Sequence, residues 1–226
     1  METLPAVNGR RILVWALLAA AAAAVWLAGR PRGGVPAGGE IDWSREPVQT
    51  PTDREPFELE TSRGALTIVP RAAYDVAARV EGAERYRFDD LAFLSPLDLL
   101  LTWGELPTSR YRDALEYSQS WRFYFWRTAD LGLDADYVIS HSANTHLIPA
   151  DEGIERALLT IGAGDDVRLT GLLVDVRGES FRWSTSTVRT DHGDGGCEIL
   201  WVEAVEAGGR RWEIAAAGVG RAPGAG

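Results

Sequence analysis

The sequence contains no lysine; all 23 of its basic residues are arginine. With abundant alanine and glycine, that bias points to a GC-rich bacterial genome. A single cysteine, Cys197, excludes an internal disulfide, and an oxidising compartment is allowed but not demanded. No cysteine stands near the N-terminus, which excludes a lipid-modified cysteine there. No G-x-S-x-G elbow and no S-x-x-K occurs, so the hydroxyl run Ser184-Thr185-Ser186-Thr187 lacks the usual settings of a catalytic serine and reads as an exposed ladder. Basic residues are scarce beyond residue 32, where 19 face 32 acids for a net charge of −13. Phosphate backbones repel such a body, so nucleic acid is an unlikely partner.

What the chain does have is one uncharged apolar run, Ile12 to Gly29, bracketed by Arg10, Arg11, Arg30 and Arg32. Eighteen helical residues span about 27 Å, close to the roughly 30 Å of a hydrocarbon core. Trp15 and Trp26 lie near its two ends, where indoles favour the membrane interface. The run predicts a retained single-pass transmembrane signal anchor. The competing reading is a cleaved signal peptide, with Ala19–Ala24 supplying the small residues of a cleavage site. A short basic N-terminus stays cytoplasmic, which places the body outside the bacterial inner membrane.

Five segments follow. Residues 1–11 form a short flank, 12–29 the transmembrane helix, 30–56 a flexible tether, 57–212 a mainly β globular domain, and 213–226 a disordered tail. The tether contains RPRGGVPAGG and then Pro47, Pro51 and Pro56 among charges, too polar to order itself. A coil of that length spans about 30 Å.

Within the body, Phe57–Glu60 and Ala65–Val69 flank a turn at 62–64. Tyr74, Val76, Ala78 and Val80 alternate with polar or small residues at period two. Residues 81–84 read as a turn before a further strand at 85–88. Leu97–Trp103 is a buried strand or a short helix. Thr108 or Ser109 caps a helix to about Ser118. A second helix, with Ile154, Ala157, Leu158 and Ile161 inward, follows Pro149. Three strands, 167–176, 181–190 and 197–205, make a meander. The stretch GDDVRLTGLLVDVRG, followed by FRW and a third strand, resembles the opening of an oligonucleotide/oligosaccharide-binding (OB) barrel, a fold that hosts many unrelated ligands. The predicted class is therefore α+β, mainly antiparallel β: a single-pass N-terminal transmembrane helix, then one small, possibly OB-like barrel with one or two short helices.

Candidate chemistry sits in three places. His141, Asn144 and His146 lie in one polar segment; the five-residue spacing of the imidazoles matches no metal-ligand pattern. Asp191 and His192, with Asp194, lie in a Gly-rich turn beside Cys197. A hydrolase or metal-dependent enzyme would need folding to join these two segments. No metal and no cofactor is predicted. The third place is Trp121-Arg122-Phe123-Tyr124-Phe125-Trp126-Arg127, where Trp121, Phe123, Tyr124 and Trp126 are the binding candidates. On a strand, Trp121, Phe123 and Phe125 share one face and Tyr124 and Trp126 the other. Rings with arginine suit a membrane interface, a sugar platform or a protein partner; a strand buried on both faces is the alternative. The preferred function is a non-enzymatic, membrane-anchored envelope binding or assembly module. Its partners are the bilayer through residues 12–29 and a protein or envelope polymer. An OB-type nucleic-acid or oligosaccharide binder is a further alternative.

Overall fold

The computed structural model describes residues 15, 34–179, 181–188 and 196–214. The chain divides into two units, 1–32 and 33–226. Of the first unit only Trp15 is described, in helical conformation and exposed.

The second unit runs, in order, through β1 (Val35–Pro36), β2 (Val48–Thr50), β3 (Phe57–Thr61), β4 (Gly64–Arg85) and β5 (Leu97–Thr102). There follow α1 (Ser109–Arg112), β6 (Leu115–Ser120), β7 (Phe123–Thr128), α2 (Ala135–Ser140) and β8 (Ser142–Pro149). The chain continues with α3 (Glu152–Leu158), β9 (Asp166–Arg177), β10 (Arg182–Trp183), β11 (Glu198–Ala207) and β12 (Arg210–Glu213).

Five strands close a ring. β4 pairs antiparallel with β5, β5 with β8, β8 in parallel with β11, and β11 antiparallel with β9, which returns to β4. Closure leaves no unpaired edge in the ring. Register shifts at Pro70/Ala72 and Val80/Gly82 in β4 and at Val202/Ala204 in β11 supply the bends that a small barrel needs. Gly171 permits the closest approach: a Cβ there would run into the carbonyl oxygen of Trp201.

Alternate residues point inward. Val76, Ala78, Val80, Leu97, Leu99, Leu101, Leu147, Leu169, Leu173, Leu200 and Val202 fill the interior, and Ile154, Ala157 and Leu158 of α3 join the same core. Helix α3 starts where its sequence says it should, with Asp151 Oδ1 accepting from the backbone N–H of Ile154 at 2.8 Å. A separate cluster joins Leu106, Tyr111, Leu115 and Val138 with Tyr117 and Trp126 under a two-stranded sheet made of β6 and β7.

Several expectations are corrected. The described residues are 49% strand and 10% helix, so the fold is mostly β rather than α+β. None of their helices is long and apolar enough to cross a membrane. Apart from Trp15, the expected span 12–29 lies outside the described residues, as does the tail from residue 215. The stretch 164–178 does not open a barrel; it carries β9, fourth of the five ring strands in chain order. β4 runs through residues 81–84 on a bulge instead of turning there. The helix expected to reach Ser118 stops at Arg112, and β6 begins at Leu115. The middle strand of the meander shrinks to Arg182–Trp183.

Residues 34–56, expected as tether, lie on the barrel. β1 pairs with β12 and β2 with β4. Gly104 N–H donates to Trp43 O at 2.9 Å, and Trp103 Nε1 donates to Glu46 at 3.1 Å. Tertiary hydrogen bonds hold a segment whose composition alone cannot order it.

Candidate functional site: a locked aromatic hairpin

The two strands β6 and β7 meet through the two-residue turn Trp121-Arg122, with Ser120 opposite Phe123. Both turn residues have positive φ, 56° and 67°. That is the geometry of a type I′ hairpin turn, which ordinarily selects Asn and Gly. Bulky side chains in this region cost on the order of 1–3 kcal/mol each and persist only where surroundings hold them.

Arg122 shows what holds the turn. Its Nε and Nη2 donate to both oxygens of Asp89, at 2.6 and 3.0 Å. Nη2 also reaches Ser95 O at 3.0 Å, and Nη1 donates to Asp98 Oδ1 at 3.2 Å. The guanidinium lies 3.9 Å over the Tyr86 ring. Burial works against the Asp89 carboxylate, but the hydrogen bonds and charge of Arg122 outweigh it and hold its pKa below the usual carboxylate value. Burial first, then the charges of Asp98 and Glu84, push the Tyr86 hydroxyl far up.

Asp98 is the centre of this lock. It is fully buried, on the outward face of β5 directly opposite His146. Asn144 Nδ2 donates to Asp98 Oδ2 at 3.3 Å and to Arg122 O at 2.9 Å, while Gln119 Nε2 donates to Asn144 Oδ1 at 2.7 Å. His146 Nδ1 lies 2.9 Å from Asp98 Oδ2, within ion-pair reach but without the alignment of a hydrogen bond. The Trp183 ring covers the imidazole at 4.8 Å between centroids. Tyr124 Oη and Ser142 Oγ meet at 3.1 Å, fixing the second strand of the hairpin to β8. Gly82 makes room for Gln119, whose amide occupies the space a Cβ would need.

The outer face is different. Trp121 is 87% exposed, Phe125 56% and Phe123 38%, whereas Tyr117, Tyr124 and Trp126 face inward. The strand is buried on one face only. A cleft of about 400 Å³ opens beside Trp121, lined by Glu84, Tyr86, Asp89, Asp90, Leu91, Ser120, Trp121 and Arg122. A larger depression of about 760 Å³, between residues 37–44 and the loops at 164–166 and 207–209, shares no lining residue with it and none with the lock.

Of the predicted catalytic residues, Asn144 and His146 meet at Asp98, while His141 turns elsewhere. His141 Nε2 lies 2.7 Å from Glu46, its Nδ1 2.9 Å from Tyr137 O, and its ring stacks on Tyr137 at 3.8 Å. His146, 3% exposed, turns to Asp98. The two imidazoles therefore serve different carboxylates, and Asn144 is spent inside the lock. Asp191 and His192 lie outside the described residues. Among the described residues no group of three or more His, Cys, Asp and Glu is placed to hold a metal ion. Thr185 Oγ1 accepts from Ile199 N–H at 2.9 Å, and Ser186 is buried, so this part of the hydroxyl run bonds locally instead of forming an exposed ladder.

Sequence reasoning missed Asp98, Asp89 and the inward role of Arg122. One signal was available: Asp98 is a lone acid in the buried strand Leu97-Asp98-Leu99-Leu100-Leu101, and a charge there demands a partner.

The fold and site define a closed five-stranded barrel with an aromatic hairpin strapped to its outer wall. Comparison with known proteins gives no match: no family model, no curated protein and no solved structure matches the chain.

Proposed function

We propose that this chain is a non-enzymatic binding module of the bacterial cell envelope that docks a partner protein on the outer face of β6 and β7. One observation carries the reading: Trp121, Phe123 and Phe125 stand in water on a hairpin whose inner face is fastened by buried ion pairs and hydrogen bonds. Exposed aromatics on a mobile loop would lose much of their binding energy to ordering. On a fastened hairpin that cost is already met by folding. Burying a large ring contributes roughly 1.5–3 kcal/mol, so this face has the substance of an interface centre.

A protein partner is favoured over an envelope polymer by the backbone. Among the described residues, neither outer edge of the β6–β7 pair is paired through its backbone with another strand. Free edges offer main-chain donors and acceptors to an incoming extended peptide. The hydrolase reading draws no support from His146 and Asn144, which no substrate touches while the lock is closed. An OB-type binder is the second reading. The five-strand ring favours it, and a body charge of −13 opposes its nucleic-acid form. The envelope location is part of the proposal and rests on the apolar run 12–29, whose contact with a bilayer would hold the module beside membrane partners at high effective concentration.

A photo-cross-linking residue placed at Phe125, in living cells, tests this. The expected result is one discrete protein adduct that is absent when the same residue sits at Glu152 and that disappears with Trp121→Ala. Adducts equal at both positions, or none at Phe125, would remove the docking surface. A polysaccharide adduct would keep the surface and overturn the protein partner.

A further inference from the structure

We infer that the partner seated on this hairpin is a second copy of the same chain, joined to it through the free edge of β7. This rests on the docking reading above and deepens it by naming the occupant.

Main-chain groups on that edge are unspent. The two-residue turn makes Ser120 and Phe123 a hydrogen-bonded pair, and alternation then directs the backbone groups of Phe123, Phe125 and Arg127 toward β6. Those of Tyr124 and Trp126 point away from it. Among the described residues, no backbone hydrogen bond from outside the hairpin reaches either of them. Edges kept from pairing carry proline, lysine, a bulge or an inward charge. β7 reads Phe-Tyr-Phe-Trp-Arg-Thr, its register against β6 has no shift, and its one charge, Arg127, faces solvent.

Symmetry then sets the pairing. Two copies that meet on the same edge are related by a two-fold axis and run antiparallel. With Tyr124 and Trp126 making the hydrogen bonds, Tyr124 lies opposite Trp126 of the second copy and Phe125 sits on the axis. Phe123, Phe125 and Arg127 then occupy the non-hydrogen-bonded positions, where side chains come closest. Phe125 meets its own equivalent, and each Phe123 ring meets the Arg127 guanidinium of the other copy. Every one of these outward positions is matched, ring to ring or cation to ring, and no like charges stand opposite each other. Moving the axis to Trp126 would set Phe123 against Ala129, past the end of the strand.

Charge favours the same occupant. The body beyond residue 32 carries −13, so two copies repel over most of their surface. The outer face of the hairpin strands holds one acid and one base, Glu116 and Arg127, already paired with each other. It is a neutral aromatic strip on an acidic body. A strongly basic partner would be drawn to the acidic remainder instead.

The test uses the full-length protein in detergent under mild oxidation, read on non-reducing gels. Across the axis the two Cα atoms of residue 125 would stand about 4.5 Å apart, within disulfide range. Phe125→Cys should therefore give at least tenfold more linked dimer than the wild-type chain with its native Cys197. Phe123→Cys and Arg127→Cys should each stay monomeric, because like positions lie about 14 Å apart along the strands, yet should link when mixed. Phe125→Lys, which sets two cations face to face, should raise the dimer Kd at least tenfold in sedimentation with an unchanged unfolding midpoint. No dimer from Phe125→Cys, equal linking by Glu152→Cys, or a Phe123→Cys and Arg127→Cys mixture no better than either alone would overturn the pairing. If the Phe125 photo-adduct in cells is a different protein and the cysteine variants stay monomeric, the docking surface survives and the second copy falls. If the cysteine variants link in the expected pattern and cells give no Phe125 adduct, the pairing stands and the docking role falls.

Discussion

Replacing Arg122 with methionine removes the guanidinium and keeps an unbranched apolar stem. The lost contacts divide by environment. The pair with Asp89 is partly exposed, since 34% of the Asp89 side chain meets solvent, and a pair of that kind is worth at most about 1 kcal/mol. The contact with Asp98 is of another order, because Asp98 has no solvent exposure and is left as a buried charge with Asn144 and a misaligned His146. Breaking a buried pair on one side costs about 3–5 kcal/mol. The strain of a positive-φ turn then has nothing to hold it. Arg122→Met should therefore destabilise the barrel by about 3–5 kcal/mol in urea unfolding, read as a lower midpoint at constant slope. Asp98→Asn in the same background should restore at least about 1.5 kcal/mol, because no uncompensated charge remains. A cost below about 1 kcal/mol for Arg122→Met, or strict additivity of the two substitutions, would refute the lock.

Gly171→Ala should cost about 3 kcal/mol or more, or prevent folding, because the new methyl enters the Trp201 carbonyl at a barrel seam; thermal unfolding checks it. Burial leads the causes that raise the pKa of Tyr86, Tyr117, Tyr124 and Tyr137. A phenol raised in the folded state contributes stability that is complete below its unfolded value near 10 and is lost as pH climbs above it. Stability should accordingly fall above about pH 10, and absorbance near 295 nm should show these tyrosines ionising late and together with unfolding. Asp89 has the opposite sign: its folded pKa is lowered, so its contribution is present above its unfolded value near 4 and is lost as pH falls through the lower folded value, seen as a falling urea midpoint in acid.

The parts of the fold that local pattern decides were legible. The alternation of Tyr74, Val76, Ala78 and Val80 is the buried face of β4, and Asp151 with Ile154, Ala157 and Leu158 marks α3 from its cap onward. Errors came where tertiary contacts outrank pattern. Tyr111, Ala114 and Leu115 keep helical spacing, yet Leu115 leaves the helix to pair with Thr128. The Pro- and Gly-rich segment before Phe57 has no periodicity of its own and is ordered by Trp103, His141 and a strand edge that lie far along the chain. The site divides in the same way. Asn144 and His146 stood out as polar residues in a short segment. Asp98 became their partner only through the register of β5 against β8, and Arg122 looked like part of an aromatic surface until its turn aimed it inward.

The most direct test of a preformed aromatic docking face is the affinity of the captured partner for the wild-type chain and for Trp121→Ala/Phe125→Ala. Both side chains are exposed, so the double variant should unfold within about 0.5 kcal/mol of wild type. Two interface anchors lost together predict at least a hundredfold weaker Kd. A Kd within twofold of wild type, in a protein that melts normally, would contradict the account.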